Sequence, residues 1–166
     1  MMISEKLARA MVEQVGRELG ASHQYVNLAA HFDGESLPQL AAFFYRQAEE
    51  EREHAMKFVH YVAEAGGAVA VPAVPAPQAG VDSPEAAAAL ALEWEQEVTR
   101  QINALMAQAI AEDDYLAQDF LRWFVNEQLE EVTTMEALLT TIRRAGPNGL
   151  LLVEAYLARS GDPHGD

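Results

Sequence analysis

The chain has 166 residues, half of them hydrophobic, and its acids outnumber its bases 26 to 11 for a formal net charge of −15. That balance excludes nucleic acid or an anionic membrane as a natural partner and suits a cationic one. Cysteine is absent, which removes disulfides, thiol catalysis, cysteine zinc sites and iron–sulfur clusters.

The opening stretch, MMISEKLARAMVEQVGREL, is amphipathic and charged throughout. It reads as a helix over about 4–32 rather than as a signal peptide. DGESLP (Asp33–Pro38) breaks the pattern, and Ser36 with Pro38 marks the start of a second helix over about 37–65, stopped by Gly66. GGAVAVPAVPAPQAGVDSP then forms a long connection, about 66–83. Asp82 and Ser83 before Pro84 start a third helix, about 84–112. A weak break at Asp113–Tyr115 leads into a fourth, about 115–145, ended by Gly146. A short fifth covers about 149–160, and 161–166 form a disordered tail. No segment shows strand alternation, and no apolar run reaches the roughly 18 residues of a membrane span. A soluble, cytoplasmic protein of one all-α domain is expected.

A helix of about 29 residues spans roughly 44 Å. Four such helices bury their apolar stripes only side by side. The short first and third connections make those neighbours antiparallel. The middle connection, with three prolines in VPAVPAP, favours an extended path of about 3.1 Å per residue. It can cross the length of a helix and leave helices two and three parallel.

Each helix carries a stripe at three/four spacing. The first reads Leu7, Met11, Gln14, Glu18, Ser22, Tyr25, Ala29, Phe32, widened by Val15, Leu19 and Val26. The second reads Leu37, Leu40, Phe44, Gln47, Glu51, His54, Phe58, Tyr61, Ala65. The third reads Ala88, Ala91, Glu95, Val98, Ile102, Leu105, Ala109, and the fourth Leu121, Phe124, Gln128, Glu131, Met135, Leu138, Ile142. All four are interrupted by polar groups near mid-helix. Midpoints of side-by-side helices lie at one height, so Glu18, Glu51, His54, Glu95, Gln128 and Glu131 should converge.

Carboxylates in an apolar interior require a positive partner. No lysine or arginine falls on the four stripes, so either the acids face solvent or a metal neutralises them. Four carboxylates, an amide and an imidazole suit hard to borderline ions. Four acids are too many for one structural zinc and can hold and bridge two divalent ions. Glu51 and His54, three apart, share one helix face.

The combination of Glu18, Glu51-Arg-Glu-His54, Glu95 and Gln128-Leu-Glu130-Glu131 resembles the ferritin-like di-iron carboxylate pattern. The segments VGRELGASHQY, AEEEREHAM, EWEQEVTRQIN and FLRWFVNEQLEE resemble bacterial non-haem ferritin over nearly the whole chain. GLLLVEAYLARS looks like that family's fifth helix. The resemblance implies a ferritin-like four-helix bundle that oxidises Fe(II) with O2 or H2O2 and stores Fe(III) as an oxide mineral inside a twenty-four-subunit shell. It implies that Glu18, Glu51 and His54 hold one iron and that Glu51 bridges to a second, completed by Glu95 and Glu131 with Gln128 close by. It further implies a third iron at Glu50, Glu127 and Glu130 with Glu131 shared, and a redox and hydrogen-bonding role for Tyr25, with Trp123 in a similar place. On spacing alone, Glu50, Glu127 and Glu130 are equally a solvated edge, and Tyr25 and Trp123 equally packing residues.

Bacterioferritin, the haem-bearing relative, is the nearest alternative. Its resemblance would require a methionine just after the bridging glutamate, where this chain has Arg52, and Glu and His where it has Gln128 and Glu131; no haem is expected. A metal-free helical interaction protein is the alternative of a different class.

Overall fold

The computed structural model describes residues 2–160; the tail expected at 161–166 lies outside the described residues. Five helices follow one another: α1 (Glu5–Gly34), α2 (Pro38–Glu64), α3 (Pro84–Ala111), α4 (Tyr115–Ala145) and α5 (Leu150–Ser160). Three start on side-chain caps that accept an orphan amide: Ser4 from Leu7 N at 3.0 Å, Ser83 from Ala86 N at 3.1 Å and Asp114 from Ala117 N at 2.9 Å.

Ser36 is not the cap of α2. It has a positive φ of 59° and closes α1, with Ser36 N donating to Asp33 O and Leu37 N to Phe32 O. This is the left-handed helix ending more often built with glycine. Leu37 sits at the α2 cap position with no side-chain bond. Glu154 of α5 does that work instead, its two oxygens accepting from Gln39 N at 2.8 Å and Leu40 N at 2.9 Å. Gly66 ends α2 as expected, at φ 81° with Gly67 N donating to Val62 O.

Contacts fix the directions. Phe32 stacks near Phe44, and Ser22 donates to Ala48 O, so α1 and α2 are antiparallel. Thr99 meets Gln128 and Glu85 meets Arg143, so α3 and α4 are antiparallel. Tyr25 meets Glu95 and Gln14 meets Gln101, so α1 and α3 also run oppositely, which leaves α2 and α3 parallel.

The connection between them lies along α1. Gly67 sits near Ala8, Pro72 against Gly16 and Val74 near Gly20. Gln24 then clasps Gln78, accepting from its N at 2.7 Å and donating to its O at 3.3 Å, and Asn27 Nδ2 adds 3.0 Å to the same carbonyl. Those eleven steps of connection accompany nineteen of α1, roughly 28 Å of axis, or about 2.6 Å per residue, an extended path with slack left against the roughly 3.3 Å per residue of a fully stretched chain.

The core is two apolar clusters. One gathers Tyr25, Phe32, Phe43, Phe44, Met135 and Ile142, the other Leu7, Met11, Phe58, Ile102, Leu121 and Phe124. Between them lies a buried polar layer. The expected stripes fall inside, except that Leu19 and Tyr61 are half-buried and Val26 is 46% exposed.

Candidate metal centre

The polar layer consists of Gln14, Glu18, Gln47, Glu51, His54, Glu95, Gln128 and Glu131, each no more than 3% exposed. The α1–α2 hairpin supplies Glu18, Glu51 and His54; the α3–α4 hairpin supplies Glu95, Gln128 and Glu131. Three groups have ligand atoms within 4.8 Å of one another: Glu18–Glu51–His54, Glu51–Glu95–Glu131 and His54–Glu127–Glu131. Glu51, His54 and Glu131 each belong to two of the three groups, so the groups form one connected cluster.

Each central carboxylate keeps one buried oxygen without a hydrogen-bond partner: Glu18 Oε2, Glu51 Oε1, Glu95 Oε2 and Glu131 Oε1. Such orphaned acceptors are costly in a low-dielectric interior. Among the described residues, the arginine ion pairs (Arg17–Glu13, Arg52–Glu49, Arg100–Glu97, Arg143–Glu85) are formed by exposed side chains and none reaches these acids.

Burial, followed by the charges of Glu95, Glu18 and Glu131, raises Glu51 well above the usual carboxylate range. Burial pushes Glu95 to about 7 and Glu131 to about 9. The metal-free layer therefore holds protons where cations would sit. For His54, burial acts downward, but Glu127, Glu18 and Glu131 outweigh it and the net shift is upward. The donor set of carboxylate oxygens and one imidazole fits hard to borderline divalent ions.

The remaining side chains hold these ligands in place. Tyr25, fully buried, donates to Glu95 Oε1. Gln14 Nε2 donates to Glu18 Oε1 at 2.9 Å. Thr99 Oγ1 lies 3.1 Å from Gln128 Oε1 and 2.8 Å from Glu95 O. His54 Nδ1 is 3.3 Å from Glu51 Oε2, and its Nε2 is 3.8 Å from Glu127 Oε1.

The outer acids divide. Glu127, half-buried, joins His54 and Glu131 as a ligand group. Glu50 is half-buried, accepts from Gln47 Nε2 and raises Glu131 through its charge. Glu130 is exposed and outside the three groups. Trp123 is 40% exposed, with its ring edge-on to His54 at 5.4 Å and Lys57 Nζ 4.5 Å from its centre.

Sequence reasoning counted Gln14 and Gln47 as stripe interruptions and gave them no role at the site, and it missed Thr99. A glutamine one turn before a buried glutamate, as Gln14 is to Glu18, was the available signal.

The family model for the ferritin-like domain matches residues 8–145. The chain belongs to the ferritin family. A ferritin named BfrB from Mycobacterium tuberculosis is 42% identical over 167 residues, covering 96% of this chain and 92% of the relative; from another strain of that organism the name is bacterioferritin BfrB. The bacterial non-haem ferritin of Staphylococcus aureus is 37% identical over 164 residues, covering 97% and 99%. An open-pore ferritin of Archaeoglobus fulgidus superposes with a TM-score of 0.92 at 34% identity, covering 95% and 98%. The bundle with its long crossover is thus the ferritin fold, the resemblance to bacterial non-haem ferritin holds, and iron storage is the family's function. The family match ends at the last residue of α4, so α5 lies beyond it.

Proposed function

We propose that this ferritin is a ferroxidase that binds two Fe(II) as substrate in the polar layer. Glu18, Glu51 and His54 hold one ion; Glu51 bridges to the other, which Glu95 and Glu131 complete, with Gln128 beside it. Each Fe(II) gives up one electron. O2 takes two electrons and two protons and leaves as H2O2; where H2O2 is the oxidant, the same two electrons and two protons yield two waters. Glu127 and Glu50, with Glu130 at the outer edge, take a third ion next to Glu131 and lead Fe(III) away. Tyr25 holds Glu95 and is close enough to the site to supply an electron.

The observation that carries this reading is the set of four buried carboxylates, each with an orphaned oxygen, which among the described residues have one imidazole beside them and no lysine or arginine ion pair to neutralise them. The reading extends to a twenty-four-subunit cytoplasmic shell that keeps Fe(III) as mineral. Among the described residues no helix is long and apolar enough to cross a membrane.

A haem-bearing shell is the second reading, because one relative carries the bacterioferritin name. Arg52, exposed and paired with Glu49 at 3.3 Å, occupies the place of the haem-ligating methionine and favours the non-haem form. Anaerobic Fe(II) titration followed by air tests the main reading. Two tightly bound Fe(II) per chain, oxidation on admitting air, elution at several hundred kilodaltons and no Soret band are expected. Absence of tight Fe(II) binding would refute it, and a strong Soret band would favour the second reading.

A further inference from the structure

The two single glutamates of the layer are held in the same way. Glu95 Oε1 accepts from Tyr25, and Glu18 Oε1 accepts from Gln14, both donors lying on α1. In each case Oε2 has no hydrogen-bond partner.

Gln14 is itself clamped. Its Nε2 also donates to Gln101 Oε1 of α3 at 3.2 Å, and its Oε1 accepts from Arg17 Nη1 at 3.1 Å. Gln101 Nε2 in turn donates to Glu97 Oε1 at 3.1 Å, and Arg100 Nε donates to Glu97 Oε2 at 2.8 Å. A guanidinium has only donors and a carboxylate only acceptors. Arg17 at one end and Glu97 at the other therefore allow a single orientation for both amides, with the NH2 of Gln14 turned to Glu18. Arg17 and Gln101 line an open cleft beneath the crossover, so an exposed arginine and a half-buried glutamine set the position of a fully buried side chain.

We propose that Gln14 is a positioning residue for Glu18: it occupies Oε1 and leaves Oε2 as the one oxygen offered to the ion shared with Glu51 and His54. The inference rests on the two-metal reading above. An amide, unlike the Tyr25 phenol, has no electron to give at the site, so its effect is on binding and coordination geometry. Outer partners of metal ligands typically change affinity by roughly 10- to 100-fold when removed.

Co(II), which air does not oxidise under these conditions and whose visible spectrum reports coordination, is the probe. The parent is expected to bind two Co(II) per chain. Gln14→Leu should weaken one of the two roughly tenfold, leave the other unchanged and alter the visible bands, because Glu18 is free to turn both oxygens to the ion. Arg17→Met should shift the titration in the same direction by less, and Arg17→Lys, which restores a donor, should bring it back. The Arg17 pair, on an exposed side chain, decides the matter if Gln14→Leu fails to fold. A Gln14→Leu protein with parental assembly, titration and bands would overturn the inference, as would Arg17→Lys behaving like Arg17→Met. If the parent binds no Co(II) or Fe(II), the two-metal reading falls and takes this inference with it; parental binding with unaffected variants removes the inference alone.

Discussion

Tyr25 and Glu95 stand 70 positions apart and meet at the middle of the bundle, the phenol donating to Glu95 Oε1. Burial, then the charges of Glu95 and Glu51, keeps the Tyr25 hydroxyl well above its usual pKa, so it remains a donor at any working pH. The contact works against the burial that raises Glu95. Tyr25→Phe should preserve the fold, since only an oxygen is lost, and slow initial Fe(II) oxidation roughly tenfold. Stopped-flow absorbance with O2 measures this; an unchanged rate would leave Tyr25 a packing residue.

Glu51→Ala and His54→Ala should each slow oxidation by more than the roughly 10- to 100-fold expected for an outer partner, because each removes a ligand. Particle size on gel filtration should not change, since both side chains are buried inside one chain. Glu130→Ala should affect the first oxidation phase least, because Glu130 is exposed and outside the ligand groups, whereas Glu127→Ala should slow the later phases. Oxidation at the parental rate by both Glu51→Ala and His54→Ala would contradict the site.

The acids of the layer give the metal-free protein a definite pH dependence. Glu95 and Glu131 titrate near 7 and 9 when folded, against 4.5 ordinarily. Between about pH 4.5 and 9 the folded chain therefore binds more protons than the unfolded one. Stability rises with pH only where the unfolded state binds more, so here this contribution falls as pH rises. It is fully lost above the folded values. Metal-free protein should melt at a lower temperature at pH 8 than at pH 6, a Glu131→Gln variant should lose part of that slope, and Fe(II) binding should release protons at neutral pH. Calorimetric melting and proton release in a weakly buffered anaerobic titration check the two claims. A melting temperature that climbs from pH 6 to 8 in the parent and falls in the variant would contradict the sign.

At Gly16 the crossover packs directly against α1. A Cβ there would stand 2.5 Å from Pro72 Cγ, whereas Gly34 has nothing within 4 Å. Gly16→Ala must push the crossover outward, an overpacking that costs about 1–3 kcal/mol. Gly34→Ala should be neutral or stabilising by up to about 1 kcal/mol. Thermal melting of the two variants side by side separates close packing from helix propensity, which predicts stabilisation at both.

Much of this architecture was legible because it is periodic. The stripes of α3 and α4 fall inside residue for residue, and the polar interruptions named the six central side chains. What escaped is what periodicity does not record. Ser36 reads as a helix start because serine commonly caps, yet its positive φ makes it the end of α1. The group that serves α2 in its place is Glu154, more than a hundred positions away. Gln24, which clasps Gln78, and Gln14, which holds Glu18, look like ordinary polar residues until a distant segment arrives beside them.

The equal division of the central residues between the hairpins has a consequence for their chemistry. Positions 18, 51 and 54 recur as 95, 128 and 131, each 77 further along. Since α1 opposes α3 and α2 opposes α4, a half-turn about an axis across the bundle exchanges one set for the other. The two hairpins place their side chains on the same spacing, with Gln128 in the place corresponding to Glu51 and Glu131 in that corresponding to His54. Two ions seated on such a plan are inequivalent by construction: the imidazole side and the all-oxygen side differ in charge and hardness, so occupancy should proceed in an order set by the ion's own preference.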